Sequence, residues 1–424
     1  MLFCVLLFTI ISGFRQIQGE YGQGGIRDYT QPKFELPGSI LNKSNLNGGG
    51  RSAFSSSSSS RDSSGRKKQI IGDVINHGKQ DLWDPTRQIH YHATLHKGEP
   101  TLEVQIARVL MKSIVTTNGI FDPDHFRQSY INFMTTPGTH NDTYASTCHR
   151  MFFANLYFRK LDPKDCPDND HHNVDAIDGL VLPTIVALAT TARHVATWPS
   201  TLPSATSTAT TTGVSNSGND EGGSTSLLID EKRITDLLND VALSSASCAA
   251  VTRKSDELEY TSSQWGQLVA ASILSPQRNH QTSQSFFEKT LNSVSERLIQ
   301  RQPNAKRASR LDQLLTACYL KQSLPPLFDM IAKYVPGNDS KNIVNNRDND
   351  DANWVWEALI DNANVGGENV HRGSIFGSIL GARAGKKKLP NRLIEGLYRH
   401  EELTDEIDEF CDAIMQNQAK EQTQ

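Results

Sequence analysis

Asn364-Val365-Gly366-Gly367-Glu368-Asn369-Val370-His371-Arg372-Gly373 is followed at once by Ser374-Ile375-Phe376-Gly377-Ser378-Ile379-Leu380-Gly381-Ala382-Arg383-Ala384-Gly385. The double glycine demands a backbone that other residues rarely adopt. Behind it, glycines at 373, 377, 381 and 385 recur every fourth residue. On a helix that spacing draws one bare stripe, along which another helix or a ligand approaches closely. Each glycine costs a helix interior about 1 kcal/mol relative to alanine, so a fixed repeat of them implies that close approach is required. Free N–H groups at a helix start also favour anions. The stretch reads as a pocket-forming loop on a tightly packed helix.

The same helical logic extends outward. Thr101 is placed to cap a helix in which Leu102, Ile106, Val109 and Leu110 recur at helical spacing. Asp142 is placed to cap a second, from Thr143 to about Phe158, ended by Pro163 and Pro167. Residues Ile177 to Ala196 are apolar nearly all round and belong in a core, with Pro183 marking a kink or a restart. Helical spacing continues in Leu227–Leu243, Trp265–Leu274, Phe286–Ile299, Leu311–Lys321, Leu327–Tyr334, Trp354–Asn362 and Leu393–Met415, the last with a break near Glu401–Asp405. No alternating strand pattern appears. The expected fold is all-α, one compact many-helix domain over 81–424. It is interrupted by a Ser/Thr/Gly insertion at 198–226, read as disordered. Residues 20–80, with an unbroken serine run from Ser55 to Ser60, read as low-complexity and disordered.

Net charge −4 and pI near 6.4 give no electrostatic case for nucleic-acid binding. Leu2 to Phe14 is apolar but shorter than the ~20 residues of a membrane span, so no stable span is expected. It fits the core of a signal peptide over 1–19, with Ile17 and Gly19 at cleavage positions, or else an apolar extension. The first reading sends the chain to secretion, the second leaves it cytoplasmic. Six widely spaced cysteines favour a reducing compartment. Sequons at Asn42, Asn141 and Asn338 matter only on secretion. The spacing of Cys148-His149, Cys166 and His171-His172 does not fit structural zinc.

The Gly-Gly loop, the small-residue helix and Lys388-Leu389-Pro390 resemble the C-terminal signature of the ADP-ribosylglycohydrolase family, most closely its J1-crystallin-like branch. His90-Tyr91-His92-Ala93-Thr94 through Gly98-Glu99-Pro100-Thr101 and the helix behind it resemble the family's Thr-Asp-Asp-Thr segment. His140-Asn141-Asp142-Thr143-Tyr144 with His149, then Asn173-Val174-Asp175-Ala176-Ile177-Asp178-Gly179-Leu180, form a third match. The resemblance implies a helical fold, an ADP-ribose-like ligand, and hydrolysis at a site where two magnesium ions are held by carboxylates. It puts Glu99 and Thr101 in the first ligand segment and Glu368, Asn369 and His371 in the second. Val370 stands where the family pattern has an aspartate, and valine cannot ligate a metal.

Three readings follow from that resemblance. The first is a J1-crystallin-type member with a degenerate metal site, magnesium not tightly held, and weak or no catalysis. The second is an active magnesium-dependent hydrolase of ADP-ribosyl glycosidic bonds. The third is a purely structural crystallin-like protein. The expected ligand-contacting set is Glu99, Thr101, His140, Asn141, Asp142, Asn173, Asp175, Gly366, Gly367, Glu368, Asn369 and His371. Each polar member has a plainer reading as a helix cap or a turn residue. Asp175 and Asp178, three apart, could share a helical face. Asn369 and His371 are expected to be neutral at pH 7 and to offset no charge, and Arg372 to be a phosphate contact or a surface cation.

Overall fold

A computed structural model of the chain describes residues 14–37, 39, 41, 70–77, 79, 82, 86–167, 174–198, 222–275, 286–301, 318–335 and 353–421. Among these residues there is no strand; two isolated bridges, Glu35 with Ile89 and Ala176 with Tyr319, are the only β-type pairings. The all-α expectation therefore holds. The serine run, most of the insertion at 198–226, Asn173 and the Leu311–Thr316 stretch lie outside the described residues.

Helix α1 (Phe14–Tyr21) and α2 (Ile71–Ile75) precede α3 (Leu102–Thr116), α4 (Pro123–Thr135) and α5 (Thr147–Ala154). Then come α6 (Val181–Ala196), α7 (Gly222–Thr252), α8 (Asp256–Leu274), α9 (Phe286–Gln300) and α10 (Leu320–Tyr334). The chain closes with α11 (Asn353–Val365), α12 (Asn369–Ala384), α13 (Asn391–Glu395) and α14 (His400–Glu421). Helices α6, α7 and α8 pack on one another at the centre. Helix α3 lies between α6, α4 and α14.

Each of these helices has a local reason. A 3-10 turn, Ile177–Leu180, runs into α6, and Pro183 sits in the first turn of α6, where a missing N–H removes no helical bond. That is the restart its sequence implies. The run Ile177–Ala196 is apolar enough to cross a membrane by composition, but most of it is buried inside the fold. Trp265 of α8 is fully buried, and its indole N–H donates to Thr184 Oγ1 of α6 at 2.8 Å. On the rim, Arg108 reaches Glu402 and Glu406, and Lys112 also reaches Glu406, tying α3 to α14.

The structure adds detail to these expectations and in places moves an element's boundary. Part of the segment 20–80 is packed: Ile26, Tyr29, Leu36 and Leu41 are buried, and so are Ile71, Val74 and Ile75 of α2. Composition hid them, because a few apolar residues spaced among glycines can still each find a slot. Ile17 is likewise buried, within a helix that runs past Gly19. Residues 222–226 open α7 rather than ending an insertion. Asp142 does not cap the helix after it; that helix begins at Thr147 behind Ser146. The C-terminal break falls at 396–399, where Arg399 adopts φ 56°.

Gly373, Gly377 and Gly381 are all buried in α12, which packs against α6, α8, α10 and α11. Gly385 is not the fourth member of the stripe: it ends the helix with φ 78°, a left-handed stop that favours glycine. Gly377 is buried, so a leucine there would have to enter the packed interior. We expect Gly377→Leu to lower stability by roughly 3 kcal/mol or more through overpacking, read by chemical denaturation. Melting together with the parent protein would place the stripe in solvent.

Candidate functional site

The double glycine joins α11 to α12. Gly366 and Gly367 take φ 74° and 66°, so both need the left-handed region. The loop is closed from inside by side chains. Asn362 donates to the Asn369 carbonyl at 2.7 Å, and Asn369 donates back to Ala363 O at 2.8 Å. Arg372 is fully buried and donates to Asn362 Oδ1 and to the carbonyls of Asn362 and Gly366. It is not a surface cation, and its Nη1 is buried without a hydrogen-bond partner. Burial pushes its guanidinium down to about 10.

This closure delivers His371 to a single place. Its Nδ1 lies 2.7 Å from Glu368 Oε2, and its Nε2 lies 3.3 Å from Glu103 Oε2 of α3. The second contact is an ion pair without hydrogen-bond alignment. All three side chains are nearly buried. Burial alone would lower the imidazole, but the two carboxylates raise it well above its ordinary value. Burial would raise the Glu103 carboxyl, yet His371 holds it below the usual carboxylate range. His371 is therefore a cation at pH 7, contrary to the neutral imidazole expected from sequence.

Around this triad lies a shell of further buried pairs. His92 Nδ1 contacts both Asp142 oxygens at 2.9 and 3.0 Å, and its Nε2 has no partner. Burial lowers His92, but Asp142 more than reverses that. Asp142 also accepts the Leu102 N–H at 2.9 Å, so it caps α3 from a distance. Asp178 meets Arg253 of α7's end through two contacts, 3.1 and 2.5 Å. Burial opposes both charges, and their attraction depresses Asp178 and raises Arg253. His149 Nδ1 lies 2.6 Å from the Tyr130 hydroxyl. Glu103, His149, Asp178, Thr252 and Arg253 line a cavity of about 10 Å³, room for about one water.

The expected ligand set divides here. Gly366, Gly367, Glu368, Asn369 and His371 stand together. Glu99 does not join them: its carboxylate accepts from His96 N–H at 2.8 Å and from the Asn141 amide at 3.2 Å. Asn141 also donates to Thr94 O, so a glycan on that amide nitrogen would remove one of these two bonds. His140 Nε2 contacts Ile75 O at 2.8 Å, and burial lowers its pKa. Thr101 is buried with its hydroxyl unpartnered, and gives no side-chain cap. Asp175 accepts from the Ser255 hydroxyl while Asp178 takes Arg253, so the two do not share one helical face. Glu103, His92, Arg253 and His149 had no assigned role from sequence. Glu103 had a signal: it is an acidic residue flanked by Leu102 and Val104 on a buried helix start.

The donor set is a poor fit to two magnesium ions. Val370 is buried and carries no oxygen. Glu103 and Glu368 are both turned onto His371, Asp142 onto His92, Asp178 onto Arg253, and Glu99 onto the 96–99 turn. Among the described residues no group of three or more His, Cys, Asp or Glu is arranged to hold a metal ion.

Removing the central cation should strand two buried carboxylates. We expect His371→Gln to lower stability by roughly 3–5 kcal/mol, with Glu103→Gln in the same chain restoring part of the loss. The pH dependence has a definite sign. His371, raised in the fold, contributes fully below its unfolded value and loses that contribution as pH rises through its folded value. Glu103, depressed in the fold, contributes fully above its unfolded value and loses it as pH falls. Both are complete only between about pH 4.3 and 6.5. The gap between parent and His371→Gln should be largest near pH 6 and shrink toward alkaline pH in urea titrations. A gap that widens toward alkaline pH would show that the imidazole is not held as a cation.

Comparison with known proteins shows the family. No significant match is found among curated proteins. A profile of the ADP-ribosylglycohydrolase family matches residues 59–424, which takes in every element of the site from His92 to Arg372. The chain belongs to the ADP-ribosylglycohydrolase family.

Proposed function

We propose that this chain is a J1-crystallin-type member of the family with a degenerate metal site and weak or no catalysis. It keeps the helical frame and the Gly-Gly loop, and its partner is an ADP-ribose-like small molecule. One observation carries the reading: the two carboxylates nearest the loop, Glu103 and Glu368, are both engaged by His371. A two-metal site needs several free carboxylates to offset four positive charges, and magnesium takes hard oxygen donors in near-octahedral array. Here a side chain of the protein offsets the carboxylates instead.

The smallness of the cavity beside the triad favours a second reading, a purely structural crystallin-like protein. Calorimetric titration with ADP-ribose, with and without magnesium chloride, separates the two. Heat of binding that does not depend on magnesium is expected on the first reading, and no heat on the second. An assay for release of ADP-ribose from a modified substrate should give background rates. Magnesium-dependent release that Glu368→Ala abolishes would overturn both and establish an active hydrolase.

A further inference from the structure

Among the described residues before 40 none belongs to the site, yet this part of the chain touches the approach to each site segment. Asn364, two residues before the double glycine, grips Ile26 from both sides: Ile26 N–H donates to its Oδ1 at 2.7 Å, and its Nδ2 donates to Ile26 O at 2.8 Å. Gly25 has φ 61°, and a Cβ there would collide with the Asn364 side chain. Further along, Gln31 donates to Leu95 O at 2.6 Å and accepts from Lys97 N–H at 2.8 Å, just before Glu99 and the start of α3. Then Leu36 N–H donates to Gln88 O and His90 N–H donates to Phe34 O, beside His92. Between these points Tyr29 is buried, with its hydroxyl donating to Leu393 O at 2.8 Å.

We infer that residues 25–36 are a strap that sets the relative positions of three segments: 88–92 with His92, 95–103 with Glu103, and 364–371 with Glu368 and His371. These segments are far apart in sequence, and a contact such as His371 with Glu103 requires them in register. Hydrogen bonds at three successive points, through the Asn364 side chain, the Gln31 side chain and the backbone at Phe34 and Leu36, give that register along one short piece of chain. Ile26 and Leu36 at the two ends and Tyr29 between them, all buried, anchor the strap. Gly25 and Asn364 are positioning residues: neither faces the triad, and both fix where the loop that carries it lies.

The test uses the full chain with Gly25→Val, which blocks the seat on Asn364, and Tyr29→Phe, which removes only the hydroxyl bond. Hydrogen exchange would be followed in peptides covering 88–103 and 364–372, with the α8 core as reference. The imidazole signals of His92 and His371 would be recorded by NMR, with His194, paired to Asp240 on α6 and α7, as control. In Gly25→Val, exchange in both site peptides should rise by about tenfold or more while α8 is unchanged, and His92 and His371 should shift while His194 does not. If Gly25→Val loosens the whole protein, Tyr29→Phe decides: a smaller rise confined to the strap and the two site peptides supports the inference. Exchange that rises only in 22–37, or nowhere, with both site imidazoles unmoved, would overturn it.

Discussion

An imidazolium held between two buried carboxylates is the contact on which this molecule's centre depends. Burying an isolated charge costs several kcal/mol even after relaxation. Glu103, on the first turn of α3, and Glu368, at the mouth of the Gly-Gly loop, could not stay where they are unless something of opposite charge lay between them. His371 fills that place from the first turn of α12. The triad thereby joins two helices that start far apart in sequence. The neighbouring pairs obey the same rule, with Asp142 against His92 and Asp178 against Arg253. The centre is polar: two of its acids are matched by one partner each, while the triad sets one cation against two carboxylates.

The backbone explains why His371 can reach. Two left-handed glycines turn the chain sharply, and Arg372 then staples the turn through carbonyls rather than through an acid. An arginine fully buried among carbonyls is unusual, and its lowered pKa is what that position entails. Behind it, α12 carries its glycines buried and packs against α6 and α8. Loop, staple and stripe work as one unit, which is why they lie in one continuous stretch of sequence.

That continuity made part of the protein legible in advance. The helices follow from apolar spacing, and the restart at Pro183 from the missing N–H of proline. The Gly-Gly loop follows from residue type alone. What was not legible was partnership across distance. Asp142 sits before a helix and looks like its cap, yet it caps α3 and binds His92, because those groups arrive from forty and fifty residues away. Glu99, read from sequence as a ligand, also braces the turn at 96–99, which the pattern does not show. Glu103, in the first turn of α3, and Arg253, one residue past α7, take partners from other segments that a linear pattern does not name. His371 looked neutral because an imidazole's charge is set by its surroundings, and no linear pattern shows those.

The buried side chains near the start of the chain bear on where this protein's folded unit begins. The stretch that resembles the family starts at residue 59, but Ile17, Ile26, Tyr29 and Leu36 are already part of the interior. A fragment cut at the family boundary would open apolar slots on α11 and α13 and leave the backbone of 88–97 facing water. Such a fragment would be prone to self-association, and its behaviour would say little about the whole chain.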